Sequence, residues 1–270
     1  MYAQQSLIEA RDLYFNKYHQ TLVNSVQEER IRILANKIKP AGKFCFAGKT
    51  LQPLPYPGYA VVAMLTTNKG NDELSPFLTA IQTVLKDNLQ PYNSFYMLPP
   101  DSFHQTIANT LSAGRYIEQL LQPGLDATFP DMVSNAFKQI SIKKSPSPLR
   151  MRLIGLSVAE TSIVMSGTFE QEADYNSIVR FREGFYGDET LATLGVKKTR
   201  PFIGHITIAY AEQKLNKNQK QHLADTLNEI NGSVSSQRRY FNISNAALCR
   251  YDNLSAFYHE SKFPVYNFCL

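Results

Sequence analysis

Two short stretches hold the residues best suited to chemistry. Residues 100–108 read P-D-S-F-H-Q-T-I-A, and residues 201–209 read P-F-I-G-H-I-T-I-A. Both fit P-x-x-x-H-x-T-I-A, with His104 and His205 standing 101 residues apart. Neutral imidazole accepts a proton and imidazolium donates one, both near neutral pH. A facing pair in opposite protonation states can take a proton from an attacking hydroxyl and return one to a leaving oxygen. Thr106 and Thr207 can donate hydrogen bonds to the non-bridging oxygens of a phosphate held between them. This is chemistry for a phosphodiester, and it calls for no metal and no other cofactor.

The spacing places each pair on a strand. Side chains alternate between the faces of a strand, so His104 and Thr106 point one way, as do His205 and Thr207. Phe103, Ile107, Ile206 and Ile208 then point toward a core. Simple alternation keeps the small Ala108 and Ala209 on the polar face, where they leave room for a ligand. Pro100 and Pro201 stiffen the entry to each strand. Gln105 interrupts the pattern, since the second copy has Ile206 there. Either that side of the strand meets solvent or the glutamine is hydrogen-bonded.

Other chemistries find less support. His19 and His222 fall in amphipathic helical patterns and read as solvated; His259 reads as structural or as lining a cleft. Neither motif histidine has a carboxylate within two residues on its strand face, and there is no H-E-x-x-H, so no metal site is expected. G-x-S-x-G and G-x-x-x-x-G-K-[ST] are both missing. Cys45, Cys249 and Cys269 are odd in number and include no C-x-x-C pair, as expected for reduced thiols in a cytoplasmic protein.

The elements around the motifs follow from periodicity. Residues 5–38 are predicted helical from Leu7 and Ile8 onward, until Pro40 and Gly42. Residues 43–58 read as a loop into the core, 59–66 as a buried strand, and 72–89 as a helix. Strand segments follow at 95–98 and 102–108, then a helix at 127–137. Strands are predicted at 139–143, 151–158 and 162–168, the last two as a hairpin. A helix lies within 173–194, the second motif strand at 202–210, and a helix at 217–230. Residues 240–250 and 255–259 read as a closing antiparallel pair. The mixture of helices and hairpins, with the repeated motif, predicts an α+β fold. It would have two pseudo-symmetric lobes of mainly antiparallel sheet, outer helices, and a central cleft between facing sheets. The expected division is an N-terminal helical arm at 1–42 and a bilobal domain at 43–270.

Composition agrees with a globular chain of one large or two small domains. Of 270 residues, 43% are hydrophobic and 19% charged. The longest apolar run, 60–65, is far too short to span a bilayer, and the N-terminus has no secretory pattern. The net charge is +5. Basic residues cluster at 143–144, 150/152, 197–200 and 238–239, fitting either a solvated surface or attraction of a phosphate ligand.

Taken together, His104-Gln-Thr-Ile107 and His205-Ile-Thr-Ile208 resemble the 2H phosphoesterase superfamily, which includes bacterial 2′–5′ RNA ligase/cyclic phosphodiesterase proteins. The approaches Leu98-Pro-Pro-Asp-Ser-Phe-His and Arg200-Pro-Phe-Ile-Gly-His are also similar, and 43–65 resembles a less characterised bacterial branch. The resemblance covers about 43–260 and leaves the arm unexplained. It implies a bilobal α+β fold and metal-independent hydrolysis or transfer at cyclic or 2′-linked phosphodiesters, with His104, Thr106, His205 and Thr207 as catalytic residues. Members commonly carry a basic residue after the second motif; here Tyr210 stands in that region, either on the Ile208 face or at a bend, and is nominated as a substrate-binding residue in its place. Arg152 and Arg200 are nominated to meet phosphate, and Tyr56, Phe202 and Tyr186 to stack on a base. The expected partner is a nucleotide or RNA-end substrate, with no membrane and no obligate protein partner. A non-catalytic nucleotide-binding module and an RNA end-joining activity are the alternatives.

Overall fold

The computed structural model describes residues 11–89, 93–234 and 236–270. The described chain enters through two helices, α1 (Phe15–Ser25) and α2 (Glu28–Asn36), broken at Val26–Gln27. The expected start of that helical stretch, with Leu7 and Ile8, lies outside the described residues. A small hairpin follows, β1 (Phe44–Ala47) and β2 (Thr50–Pro53). Glycines and prolines make this stretch read as loop. Gly48 instead opens a two-residue turn, at φ +65°, a conformation that glycine adopts without strain.

Two antiparallel sheets then share the motif strands. In the first, β3 (Gly58–Met64) lies between β5 (His104–Ser112) and β10 (Asn245–Asn253). β11 (Ala256–Tyr258) and β12 (Val265–Asn267) both pair with the far side of β10. The second sheet runs β4 (Phe95–Met97), β8 (His205–Ala211), β7 (Ser162–Phe169), β6 (Leu149–Ala159) and β9 (Arg239–Ile243), in that order. Both faces of β3 and β7 are buried, which explains their unbroken apolar character. The sheets meet where β5 and β8 approach each other.

Helices close the outside. α3 (Leu74–Leu89) and α6 (Lys217–Val234) pack on the second sheet, α4 (Phe129–Gln139) packs on the first, and α5 (Glu172–Tyr186) packs across both, against β5, β6 and β7. α1 lies across β7 and α2 against α6 and β6. One large apolar core joins these layers, and a smaller cluster of Ala60, Val62, Met64, Ala247, Cys249 and Tyr251 sits on the opposite face of the first sheet. The expected α+β architecture with two antiparallel lobes is what the chain adopts. Among the described residues no helix is long and apolar enough to cross a membrane.

Several boundaries differ from those read in the sequence. No strand forms at 139–143, because α4 continues to Gln139 and an irregular segment follows. The predicted strand 240–250 is divided at Ser244: its first half joins the second sheet and its second half the first. Pro99–Pro100 is likewise a crossing between sheets, since β4 and β5 belong to different lobes. β8 starts only at His205, and α6 runs through Gly232 to Val234.

Candidate active site

Each motif strand carries an extra residue just after its threonine, and β5 carries a second one between Asn109 and Ser112. Thr106 lies opposite Val62 and Ala108 opposite Val61, leaving Ile107 as a bulge. Thr207 lies opposite Val164 and Ala209 opposite Ile163, leaving Ile208 in the same role. A bulge puts two residues against one and shifts the alternation beyond it. Both strands therefore show the same burial order, with the histidine and threonine half-buried, the two residues after the threonine buried, and the third half-buried again. Ala108 and Ala209 turn into the core, contrary to the simple alternation, and are fully buried. Asn109 and Tyr210 take the cleft positions instead. Of the two readings of Tyr210, the Ile208 face is thus wrong: Ile208 faces the core, and the bulge returns Tyr210 to the cleft side.

The histidines are anchored identically. His104 Nδ1 lies 2.7 Å from the Ser102 carbonyl, and His205 Nδ1 lies 2.9 Å from the Ile203 carbonyl. A carbonyl only accepts, so Nδ1 carries the proton and donates in both cases, leaving each Nε2 lone pair available. Burial in the cleft pushes both pKa values down to about 4, against the partial support of those carbonyls. For His205 the positive charges of Arg200 and of His104, when protonated, lower it further. The surroundings are not symmetric. His104 packs on the Phe257 ring, with centroids 4.2 Å apart, and lies opposite Met64. His205 lies opposite Ser166.

Buried polar side chains hold the bulges in place. The Ile107 carbonyl accepts from Arg182 Nη1 at 2.6 Å. The Ile208 carbonyl accepts from Gln82 Nε2 at 2.9 Å and from the Leu98 amide at 3.0 Å. Each bulge carbonyl is thus satisfied by a helix packed behind it, α5 in one case and α3 in the other. Gln105 answers the question its position posed. It is fully buried; its amide donates to the Thr106 and Ile203 carbonyls, and its oxygen accepts from the His205 backbone N–H. It ties the first motif directly to the second. Arg182 also pairs with Asp12 at 3.1 Å and donates to the Arg200 carbonyl at 2.8 Å. Asp12 in turn accepts from Lys198 and from the Phe202 amide. Before His205, the Gly204 backbone lies so close to Gly167 that a Cβ would collide with the Gly167 carbonyl oxygen.

The four motif side chains line one cavity of about 230 Å³. Asn109, Tyr210, Tyr56, Lys43 and Arg200 share its wall, and among the described residues no carboxylate does. Of the nominated residues, Tyr56, Arg200 and Tyr210 are therefore brought to the motif pairs. Tyr56 lies under the Lys43 ammonium, 4.0 Å from its ring centroid. Burial raises the Tyr210 pKa above the ordinary tyrosine value, and a hydrogen bond with Thr207 partly offsets this. Arg152 is not brought there: it bridges to Glu170 at 3.2 Å on the far strands of the second sheet. Phe202 is only 1% exposed, its ring packed among Tyr18, Phe169 and Tyr175, so it is core and has no face for a base. Tyr186 supports β5 from behind through the Asn109 carbonyl. Sequence reasoning misses Asn109, Lys43, Tyr251 and Phe257; only the bulge, or a long-range pairing, brings them in.

A family model for 2H phosphodiesterases, described as a domain of unknown function (DUF1868), matches residues 46–161. That stretch is less than half of the chain and holds the first motif. No curated protein matches the chain. Among solved structures, the conserved protein of unknown function ATU0111 from Agrobacterium tumefaciens superposes with a TM-score of 0.55 at 18% identity, covering 84% of this chain and 97% of that one. TT0787 from Thermus thermophilus is also similar, with a TM-score of 0.41 at 14% identity over 79% of this chain and 97% of its own. The first of these likenesses is one of fold. The resemblance to the 2H phosphoesterase superfamily carried by the two H-x-T-I strands is thus matched by a family model over the segment that contains the first of them.

Proposed function

We propose that the chain hydrolyses a cyclic or 2′-linked phosphodiester of a nucleotide or RNA end, using the two His/Thr pairs and no metal. The observation that carries the reading is the matched anchoring of two imidazoles in one cavity free of carboxylates among the described residues. An anion entering between them stabilises imidazolium and raises the depressed pKa values, so one ring can hold a proton while the other stays neutral. The neutral Nε2 takes a proton from water as its oxygen bonds to phosphorus. The protonated ring gives its proton to the departing ribose oxygen as that P–O bond breaks. Thr106 and Thr207 donate to the non-bridging oxygens as charge builds there. Arg200, exposed and without a carboxylate partner among the described residues, adds a positive charge at the cavity wall.

The test is a product assay on 2′,3′-cyclic nucleotides, RNAs with cyclic phosphate ends and 2′–5′ oligonucleotides, each with and without EDTA. The proposal expects a monophosphate product at equal rates in both. Ligand binding without product supports a binding module instead, and joined RNA supports the reverse reaction on the same residues. Activity that vanishes in EDTA and returns with a divalent cation contradicts the proposal.

A further inference from the structure

A second, larger cavity of about 470 Å³ adjoins the motif pairs, and Tyr56 is not on its lining. The two cavities share Thr106, Asn109, Thr161, Arg200, His205, Thr207 and Tyr210. One wall is the cleft face of β6 and β7; the other is α1, which lies outside both the family-matched segment and the superfamily resemblance. We propose that this annex holds a hydrogen-bonding part of the substrate, the sugar or base of a nucleoside joined to the phosphate between the pairs. The proposal rests on the reading of those pairs given above.

The wall chemistry argues for such a group. Thr21, Ser25, Ser157 and Ser162 line the annex, and each hydroxyl donates to a backbone carbonyl: those of Lys17, Leu22, Ser25 and Ala159. Their protons are committed, so what they turn to a ligand is acceptor lone pairs. Amine and hydroxyl donors of a nucleoside match them. Ser166 is different. It is 2% exposed, lines the annex, lies directly across the strand pair from His205, and its hydroxyl bonds to no protein group among the described residues. A nearly buried hydroxyl beside a proposed catalytic ring, without a partner of its own, points to a ligand atom. Of the ionic groups on its lining, Arg182 is held by Asp12 and Glu160 by Lys39, while Arg30 and Arg200 are exposed and add positive charge at the rim. The size falls within the range of small-molecule sites.

Calorimetric titration in EDTA, with inorganic phosphate and with cytidine 3′-phosphate, tests this. Wild type should bind the nucleotide about tenfold or more tightly than phosphate, the worth of one or two added hydrogen bonds. Thr21→Trp fills the annex from an exposed helical position and should erase most of that advantage, with phosphate affinity unchanged. Ser166→Val should remove part of it. An advantage that survives in both folded variants overturns the annex while leaving the His/Thr reading intact. Binding of neither ligand to wild type overturns the reading of the pairs, and the annex with it.

Discussion

At the scale of single residues, the proposed mechanism turns on two imidazoles that reach neutral pH without a proton on Nε2. Replacing His104 or His205 by Ala should each lower kcat by about 10²–10⁴-fold, the usual worth of a positioned acid or base, with little change in the thermal midpoint. Thr106→Val or Thr207→Val should cost about 10²-fold in kcat, as for loss of one donor to a developing oxyanion. The proposal also sets an expected pH dependence. Free-enzyme pKa values near 4 should set the bell for kcat/KM on the acid side. The bound anion should displace the kcat bell to higher pH, and coincident bells would contradict this. Stability carries the same signature. Well above pH 6.5 neither the folded nor the unfolded histidines hold a proton. As pH falls from about 6.5 toward 4 the unfolded rings protonate first, so folding weakens, and the loss levels off below 4. His104→Gln should therefore lose less stability than wild type over that window in denaturant titrations at stepped pH.

At the scale of elements, the paired bulges decide which side chains meet. Asn109 and Tyr210 face the cleft only because Ile107 and Ile208 are inserted, and period-two reasoning cannot see an inserted residue. That is why simple alternation puts Ala108 and Ala209 on the wrong face, although the H-x-T portion ahead of each bulge is legible. The repeated phrase I-A is itself the bulge, two apolar residues turned inward in succession. The supports are not legible either, because they join distant positions: Asp12 and Arg182, or Gln82 and Ile208. Phe202 and Arg152 mislead for a related reason, since nothing local tells an aromatic or basic residue at a strand entry whether its partner is a ligand, a core or a carboxylate. Arg182→Met should cost about 3–5 kcal/mol, because it strips the buried Asp12 of one partner. Gln105→Leu leaves the buried His205 amide unpaired and should cost about 1–3 kcal/mol. Its kcat should fall more than its KM rises, since what it holds is the position of His205; an equal effect on both would assign it only to the fold. Gly204→Ala should displace the start of β8, visible as changed amide shifts at 205–207.

At the scale of the whole molecule, two lobes offer unlike faces to one cleft. The first sheet's side presents Ala60, Tyr251, Leu254 and Phe257 to the motif cavity, and the second sheet presents hydroxyls to the annex. Outside, Arg115, Lys197 and Arg200 surround Tyr56 at an open mouth beside the motif pairs. The net charge of +5 is thus partly gathered where an anion would arrive. Nucleotide kcat/KM should fall as salt rises from about 50 to 200 mM while kcat holds, because screening acts on the encounter. The most direct test of the shared phosphate is nitrogen NMR of the labelled histidines during titration with a nucleoside 3′-phosphate. The account predicts that both rings begin as Nδ1–H tautomers and that both Nε2 signals move along one saturation curve. Movement of one ring alone, or curves with different midpoints, would contradict it.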